Sequence, residues 1–154
     1  MLGAVADTYR ERLWPGVGGW IAAVAVGAAA GVIALPLRAT LAWIVGPLVA
    51  VAAVALVWWL TPVVEVAGGE LRAGAAHIPL SLLGEAEPLA GDELRAALGP
   101  GLDARAHLCL RGWIRTAVRV ALTDADDPTP YWVVSTRKPA ALLAALAAGR
   151  AAAA

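Results

Sequence analysis

The sequence predicts a membrane α-helical hairpin of two transmembrane helices, followed by a small α+β domain: a β-barrel or sandwich of six or seven strands with a C-terminal helix. Three observations carry that prediction. The 154 residues are 60% hydrophobic and only 16% charged, whereas a soluble domain holds roughly 45–50% apolar and about 25% charged residues. The apolar excess is concentrated, with no Asp, Glu, Lys or Arg from Leu13 to Leu37 and none between Arg38 and Glu65. Beyond residue 62 the pattern changes to short β-branched segments punctuated by Gly and Pro, closing on an Ala/Leu run. This composition excludes a disordered chain and an ordinary soluble globule. Twelve basic and twelve acidic residues cancel, so no global basic field attracts nucleic acid.

The two apolar runs are read as helices over about residues 18–37 and 40–60. A span needs about 20 apolar residues, because a helix rises about 1.5 Å per residue across about 30 Å of hydrocarbon. Pro36-Leu37-Arg38-Ala39 leaves only a short turn between them, so both ends return to one side. Trp14, Trp20, Trp58 and Trp59 would share that interface, where indole rings prefer to sit, and Trp43 would lie near the other. Arg10, Arg12 and Arg72 flank the hairpin while the turn carries only Arg38. The positive-inside rule then puts both termini in the cytoplasm of a two-span plasma-membrane protein. The single cysteine, Cys109, suits a reducing compartment. A cleaved signal peptide is disfavoured by Asp7 and Glu11 and by the second span that follows at once.

Gly19, Ala23, Gly27 and Gly31 recur every four residues and form a small-residue stripe. Ala42, Gly46 and Ala50 answer it from the second helix. Such stripes let backbones approach where lipid supplies no hydrophobic drive, either within the hairpin or in a homodimer. Pro47 removes a backbone donor early in the second helix and is expected to kink it. No ionisable side chain lies in either span, which argues against a channel or transporter.

After the hairpin segment (residues 1–62) we place a cytosolic domain over 63–150 and a frayed tail over 151–154. Val63–Ala67 and Glu70–Ala73 flank Gly68-Gly69 as a hairpin. His77–Leu82 reads as a strand that Pro79 confines to an edge, and 84–89 is ambiguous. Asp92–Leu98 carries acids in its first turn and ends at Gly99-Pro100, as a helix does. Arg105–Leu110, Thr116–Thr123 and Tyr131–Thr136 read as strands. Pro139–Ala148 is a helix with proline in its first turn.

Chemistry-bearing residues are few. Arg105, His107, Cys109 and Arg111 alternate along one predicted strand face, followed by Arg115 and Arg119. From 103 to 123 these four arginines face only Asp103. Arginine binds phosphate in bidentate fashion and gains about 1 kcal/mol near an anionic leaflet. Arg111, Arg115 and Arg119 are therefore candidates for contact with lipid headgroups or an acidic partner. The alternative is a solvated face that pairs with Glu85, Glu87, Asp92 and Glu93. Asp124, Asp126 and Asp127 read as a loop, because no Glu follows at calcium-loop spacing. His77, His107 and Cys109 are too few for zinc. A catalytic use of Asp124, Asp127, Ser135 or His77 would need these groups to converge. We expect no enzyme, no metal and no cofactor.

The run Asp127-Pro128-Thr129-Pro130-Tyr131-Trp132, followed by Ser135-Thr136-Arg137, resembles an actinobacterial family of alanine-rich two-span membrane proteins of unknown function (the DUF3093 type). Tyr9-Arg10-Glu11-Arg12-Leu13-Trp14-Pro15 and His77-Ile78-Pro79-Leu80 share that likeness, which covers nearly the whole chain. The resemblance implies no activity. It adds Tyr131, Trp132 and Arg137 as candidate recognition residues. The order of elements also resembles bacterial membrane-flanked pleckstrin-homology-like (PH-like) domains. The expected role is a membrane-tethered binding or scaffold module, the alternative an assembly subunit of a larger membrane complex. The expected partners are the bilayer, anionic headgroups or another membrane protein.

Overall fold

The structure is a computed structural model that describes residues 9–124 and 127–153; Asp7, Asp126 and Ala154 lie outside them. The chain divides into two compact units. Residues 14–61 form one, and the chain on either side of it, up to Leu13 and from Pro62 onward, forms the other.

The first unit is a helical hairpin of α1 (Val17–Ala34) and α2 (Ala39–Trp59). Both helices are long and apolar enough to cross a membrane. Pro36 lacks the N–H that another turn of α1 needs, so the chain turns over Leu35–Leu37. The helices touch through the small residues. A Cβ added to Gly27 would fall 2.7 Å from the Ala50 N and Cα atoms, and one on Gly46 would lie 3.3 Å from the Gly27 carbonyl oxygen. Gly31 packs beside Ala42 and Gly46. Gly19 departs from the predicted stripe, because its face meets Pro15 rather than the second helix. Pro47 sits inside α2 without ending it.

Among its described residues the second unit holds eight strands, one or two more than the sequence predicts. They are β1 (Tyr9–Arg12), β2 (Val63–Ala67), β3 (Glu70–Ala73), β4 (Ala76–Pro79), β5 (Leu83–Ala90), β6 (His107–Cys109), β7 (Thr116–Leu122) and β8 (Tyr131–Ser135). Helix α3 (Gly91–Leu98) follows β5, and α4 (Pro139–Ala153) ends the chain. The ladders make two four-stranded sheets, ordered β1-β2-β3-β4 and β5-β7-β8-β6. Pro79 and Pro88 both lie on edge strands, where a missing ladder donor costs least. Gly68 and Gly69 have φ of +61° and +78°, as a two-residue hairpin turn requires.

Several expectations are corrected. The segment before the hairpin, grouped with the membrane region on sequence, supplies β1, which pairs antiparallel with β2. Tyr-Arg-Glu-Arg has no apolar alternation, so nothing in its pattern marks a strand. Its neighbour Leu13 is fully buried, and the Leu13 N–H bonds to the Pro62 carbonyl oxygen at 3.1 Å. The chain therefore leaves this unit and returns to it at hydrogen-bonded neighbours. The ambiguous 84–89 stretch lies within the eight-residue β5. The predicted 77–82 strand stops at Pro79 and becomes a 3-10 turn over Leu80–Leu82. Helix α4 runs through Ala153.

One core joins both sheets to α4. It includes Val64, Leu71, Val118, Val134, Leu142 and Leu146, each nearly or fully removed from solvent. Leu142, Ala145 and Leu146 repeat at three and four residues, the buried face of an amphipathic helix. A second cluster of Leu89, Ala117 and Val133 lies on the other face of the β5-β7-β8-β6 sheet, under Leu94 and Leu98 of α3. Central strand β8 is thus buried on both faces.

Candidate functional site

The predicted arginine face does not exist as a face. Strand β6 covers only residues 107–109 and runs parallel to β8, with His107 opposite Trp132 and Cys109 opposite Val134. The His107 ring lies 4.4 Å from the Trp132 ring, and Cys109 is 8% exposed. Burial pushes the Cys109 thiol up. Cys109 is therefore expected to resist Ellman's reagent until the protein unfolds, and prompt labelling of the native chain would show that this core is open.

The arginines disperse to different partners. Arg105 turns back onto Asp103 at 2.9 Å. Hydrogen bonds from the Arg105 side chain and backbone hold that carboxyl down at about 2. Arg119 faces Glu87 across the β5–β7 ladder, pairs with its carboxylate, and lies 5.5 Å from the Tyr131 ring centre. This neighbourhood also holds Glu85, so its charge is compensated. Arg137 approaches Glu11 at 4.0 Å on the opposite sheet.

Arg111 and Arg115 remain together, in the connection from β6 to β7. There they meet a residue that sequence reasoning passed over, Arg95 of α3. The three line a groove of about 370 Å³. Leu94 and Leu98 come from the same α3 face as Arg95, by three- and four-residue spacing. Leu110 completes the half-buried apolar lining. Among the described residues, no carboxylate lines this groove. Asp92 holds Arg95 at 2.5 Å, and the Arg111 guanidinium donates to the Leu110 carbonyl oxygen at 2.8 Å. Ser135 also reaches the groove, but its hydroxyl oxygen accepts the Arg111 backbone N–H at 3.0 Å and fixes the start of the loop. The signal for Arg95 was present in the sequence only as a base in the last turn of a helix, which normally needs no further explanation.

The recognition residues suggested by family likeness take other roles. Trp132 is 6% exposed and belongs to the core, so it cannot form a surface. Tyr131 is half-buried, and its hydroxyl accepts the Asp103 N–H at 2.8 Å and donates to the Gly101 carbonyl oxygen at 3.3 Å. It ties down the loop that follows α3. The residues considered for catalysis are spread out. His77 is exposed on edge strand β4, Ser135 is buried on β8 in the other sheet, and Asp127 accepts the Thr129 N–H in the β7–β8 loop. Among the described residues, no three of His, Cys, Asp or Glu are arranged to hold a metal.

A polar cluster that sequence reasoning did not foresee joins the two ends of this unit. The Tyr9 and Thr136 hydroxyl oxygens each lie 2.6 Å from Glu11 Oε2, and 2.8 Å from one another. The Arg137 backbone N–H donates to Glu11 Oε1 at 3.1 Å, and the Lys138 N–H to Thr136 Oγ1 at 2.9 Å. The Glu11 side chain is only 11% exposed. Burial pushes its carboxyl up, but the bonds from Thr136, Tyr9 and the Arg137 backbone outweigh burial and hold it below the usual carboxylate value. The cluster fixes β1 to the start of α4. Tyr9-Arg10-Glu11 and Ser135-Thr136-Arg137, two stretches that carried the family likeness, thus meet in space.

No curated protein and no solved structure matches the chain. One family model does, over residues 8–146, a span that takes in β1, both apolar helices, both sheets and the first half of α4. The chain belongs to the family described as protein of unknown function, DUF3093.

Proposed function

We propose that this chain is a two-span plasma-membrane protein whose strand-rich unit is a cytoplasmic, non-enzymatic binding module for anionic groups. The observation that carries the binding reading is the convergence of Arg95, Arg111 and Arg115 on one groove that, among the described residues, no carboxylate lines. Arginine clusters of this kind serve phosphate and carboxylate recognition. The anchoring reading is supported by α1 and α2, whose sequences contain no ionisable side chain. It is supported too by the Trp14–Trp20 pair at the open end of the hairpin, with ring centres 5.8 Å apart, where a membrane interface favours indoles.

Cysteine accessibility tests the topology. In whole cells, R38C is expected to react with a membrane-impermeant maleimide. A152C is expected to react only after permeabilisation, with the buried Cys109 contributing little background. Labelling of both positions in intact cells would refute a hairpin with both termini inside, as would release of the protein by alkaline carbonate. The second reading, an assembly subunit, is favoured by the exposed Trp43 and Leu48 on α2. It predicts a stoichiometric protein partner on crosslinking in native membranes.

A further inference from the structure

We infer that the groove between α3 and the β6–β7 connection is a site for a phosphate ester bearing an apolar group. This deepens the binding-module reading and rests on it, though not on the membrane topology. The groove offers two chemistries side by side. Arg111 and Arg115 come from one loop and Arg95 from the facing helix, so cationic groups approach from two directions. Two such forks can satisfy several oxygens of a phosphate at once. Leu94, Leu98 and Leu110 line the same groove and rest on the buried cluster of Leu89, Ala117 and Val133. An inorganic anion would leave that apolar lining wet. An ester with an alkyl or acyl-glycerol portion would cover it.

Size agrees with this class. About 370 Å³ lies in the small-molecule range of roughly 300–1,000 Å³ and is too small for a folded partner. The site is also partly preorganised, because Ser135 and the Ile114 N–H, which bonds to the Arg111 carbonyl oxygen at 2.9 Å, fix the loop that carries the arginines. Asp92 pairs with Arg95, and the Arg111 guanidinium donates to the Leu110 carbonyl oxygen at 2.8 Å and lies 6.0 Å from the Trp113 ring centre, so Arg95 and Arg111 are both held in place beside the exposed Arg115. The same chemistry is presented by an anionic phospholipid headgroup and by a soluble alkyl phosphate.

The test uses the full chain in nanodiscs of a zwitterionic lipid, titrated by calorimetry with inorganic phosphate, hexyl phosphate and hexanol. Hexyl phosphate is expected to bind at least about tenfold tighter than inorganic phosphate, and hexanol not to saturate. The double variant R111Q/R115Q is expected to weaken hexyl phosphate by about tenfold or more, a change of roughly 1.4 kcal/mol. R95Q is expected to weaken it less, and R72Q, on the far sheet, not at all. Repeating the titration in nanodiscs containing phosphatidic acid separates the sources. Competition identifies the lipid headgroup, and an unchanged affinity identifies a soluble ester. Equal affinity for inorganic and hexyl phosphate, or full affinity in a double variant that keeps the native circular dichroism spectrum, overturns the inference. R115E, at an exposed position that burial does not constrain, guards against loss of binding through misfolding: it too must weaken binding.

Discussion

Gly27→Ala is expected to push the two apolar helices apart, at a cost of about 3 kcal/mol or more. Overpacking a core usually costs about 1–3 kcal/mol, because neighbours can shift rotamers. Here the new methyl meets backbone, the N and Cα of Ala50 at 2.7 Å, as well as the Ala50 methyl, and backbone cannot turn aside. The gain in helix propensity from Gly to Ala, about 1 kcal/mol, does not offset that clash. Two companion variants set the scale. A Cβ on Gly31 would lie 3.4 Å from the Ala42 carbonyl oxygen and the Gly46 Cα, close to ordinary contact, so Gly31→Ala is expected to be near neutral. Gly18 has open space, so Gly18→Ala is expected to be neutral or stabilising. Thermal unfolding of the three variants in one detergent checks the order. A Gly27→Ala protein as stable as wild type would mean that the helices do not pack through this face.

The second large effect belongs to Glu11. Glu11→Ala removes the acceptor of two hydroxyls and one backbone N–H in a poorly hydrated position. Hydrogen bonds to charged groups contribute about 1.5–3 kcal/mol each, and donors left unsatisfied add a penalty. A net loss of about 3 kcal/mol is expected, read as a shift in the denaturation midpoint of the full chain. A pH dependence accompanies it. The folded Glu11 carboxyl sits below its usual value of 4.5, so the unfolded chain binds the proton more readily. Its contribution is therefore fully present above the ordinary carboxylate range and is lost as pH falls through the lower folded value. Glu11→Gln, which keeps the shape without the titration, is expected to flatten the acid side of the stability curve. Parallel curves for Glu11→Gln and wild type would show that the cluster contributes no such linkage.

This cluster shows what kind of information the sequence withholds. Tyr9 and Glu11 occupy a four-residue polar stretch with no periodicity, and Thr136 and Arg137 look like ordinary residues before a helix. Their meeting depends on the β1–β2 pairing, in which Glu11 stands opposite Val64, and no local pattern encodes a partner so far along the chain. Arg111 and Arg115 were legible as a cationic pair because they are close in sequence. Arg95 was not, because α3 must fold over the β5-β7-β8-β6 sheet before its guanidinium and the loop arginines share a groove. Trp132 belongs to the core for a related reason. A central strand packed on both faces shows no alternation, so its aromatic residue resembles a surface residue of a half-buried strand. His107 and Cys109 were assigned to the same face, but the parallel pairing with β8 turns that face inward.

The sequence by itself determined the elements whose signals are local. These are the two apolar helices, set by uninterrupted hydropathy and a proline-bearing turn, the Gly68-Gly69 hairpin, set by left-handed backbone, and the edge placement of Pro79, set by its missing donor. The small-residue stripes were also readable, because side-chain size at four-residue spacing is local to a helix, whereas the structure set Gly27 against Ala50. Only the tertiary structure decided which charges meet. It divided the arginines among Asp103, Glu87, Glu11 and the α3 groove, and it joined β1 to β2 across the whole hairpin. The physical reason is that hydropathy and backbone preference act between near neighbours, whereas an ion pair or a binding groove is fixed by strand register and helix packing over long sequence separations.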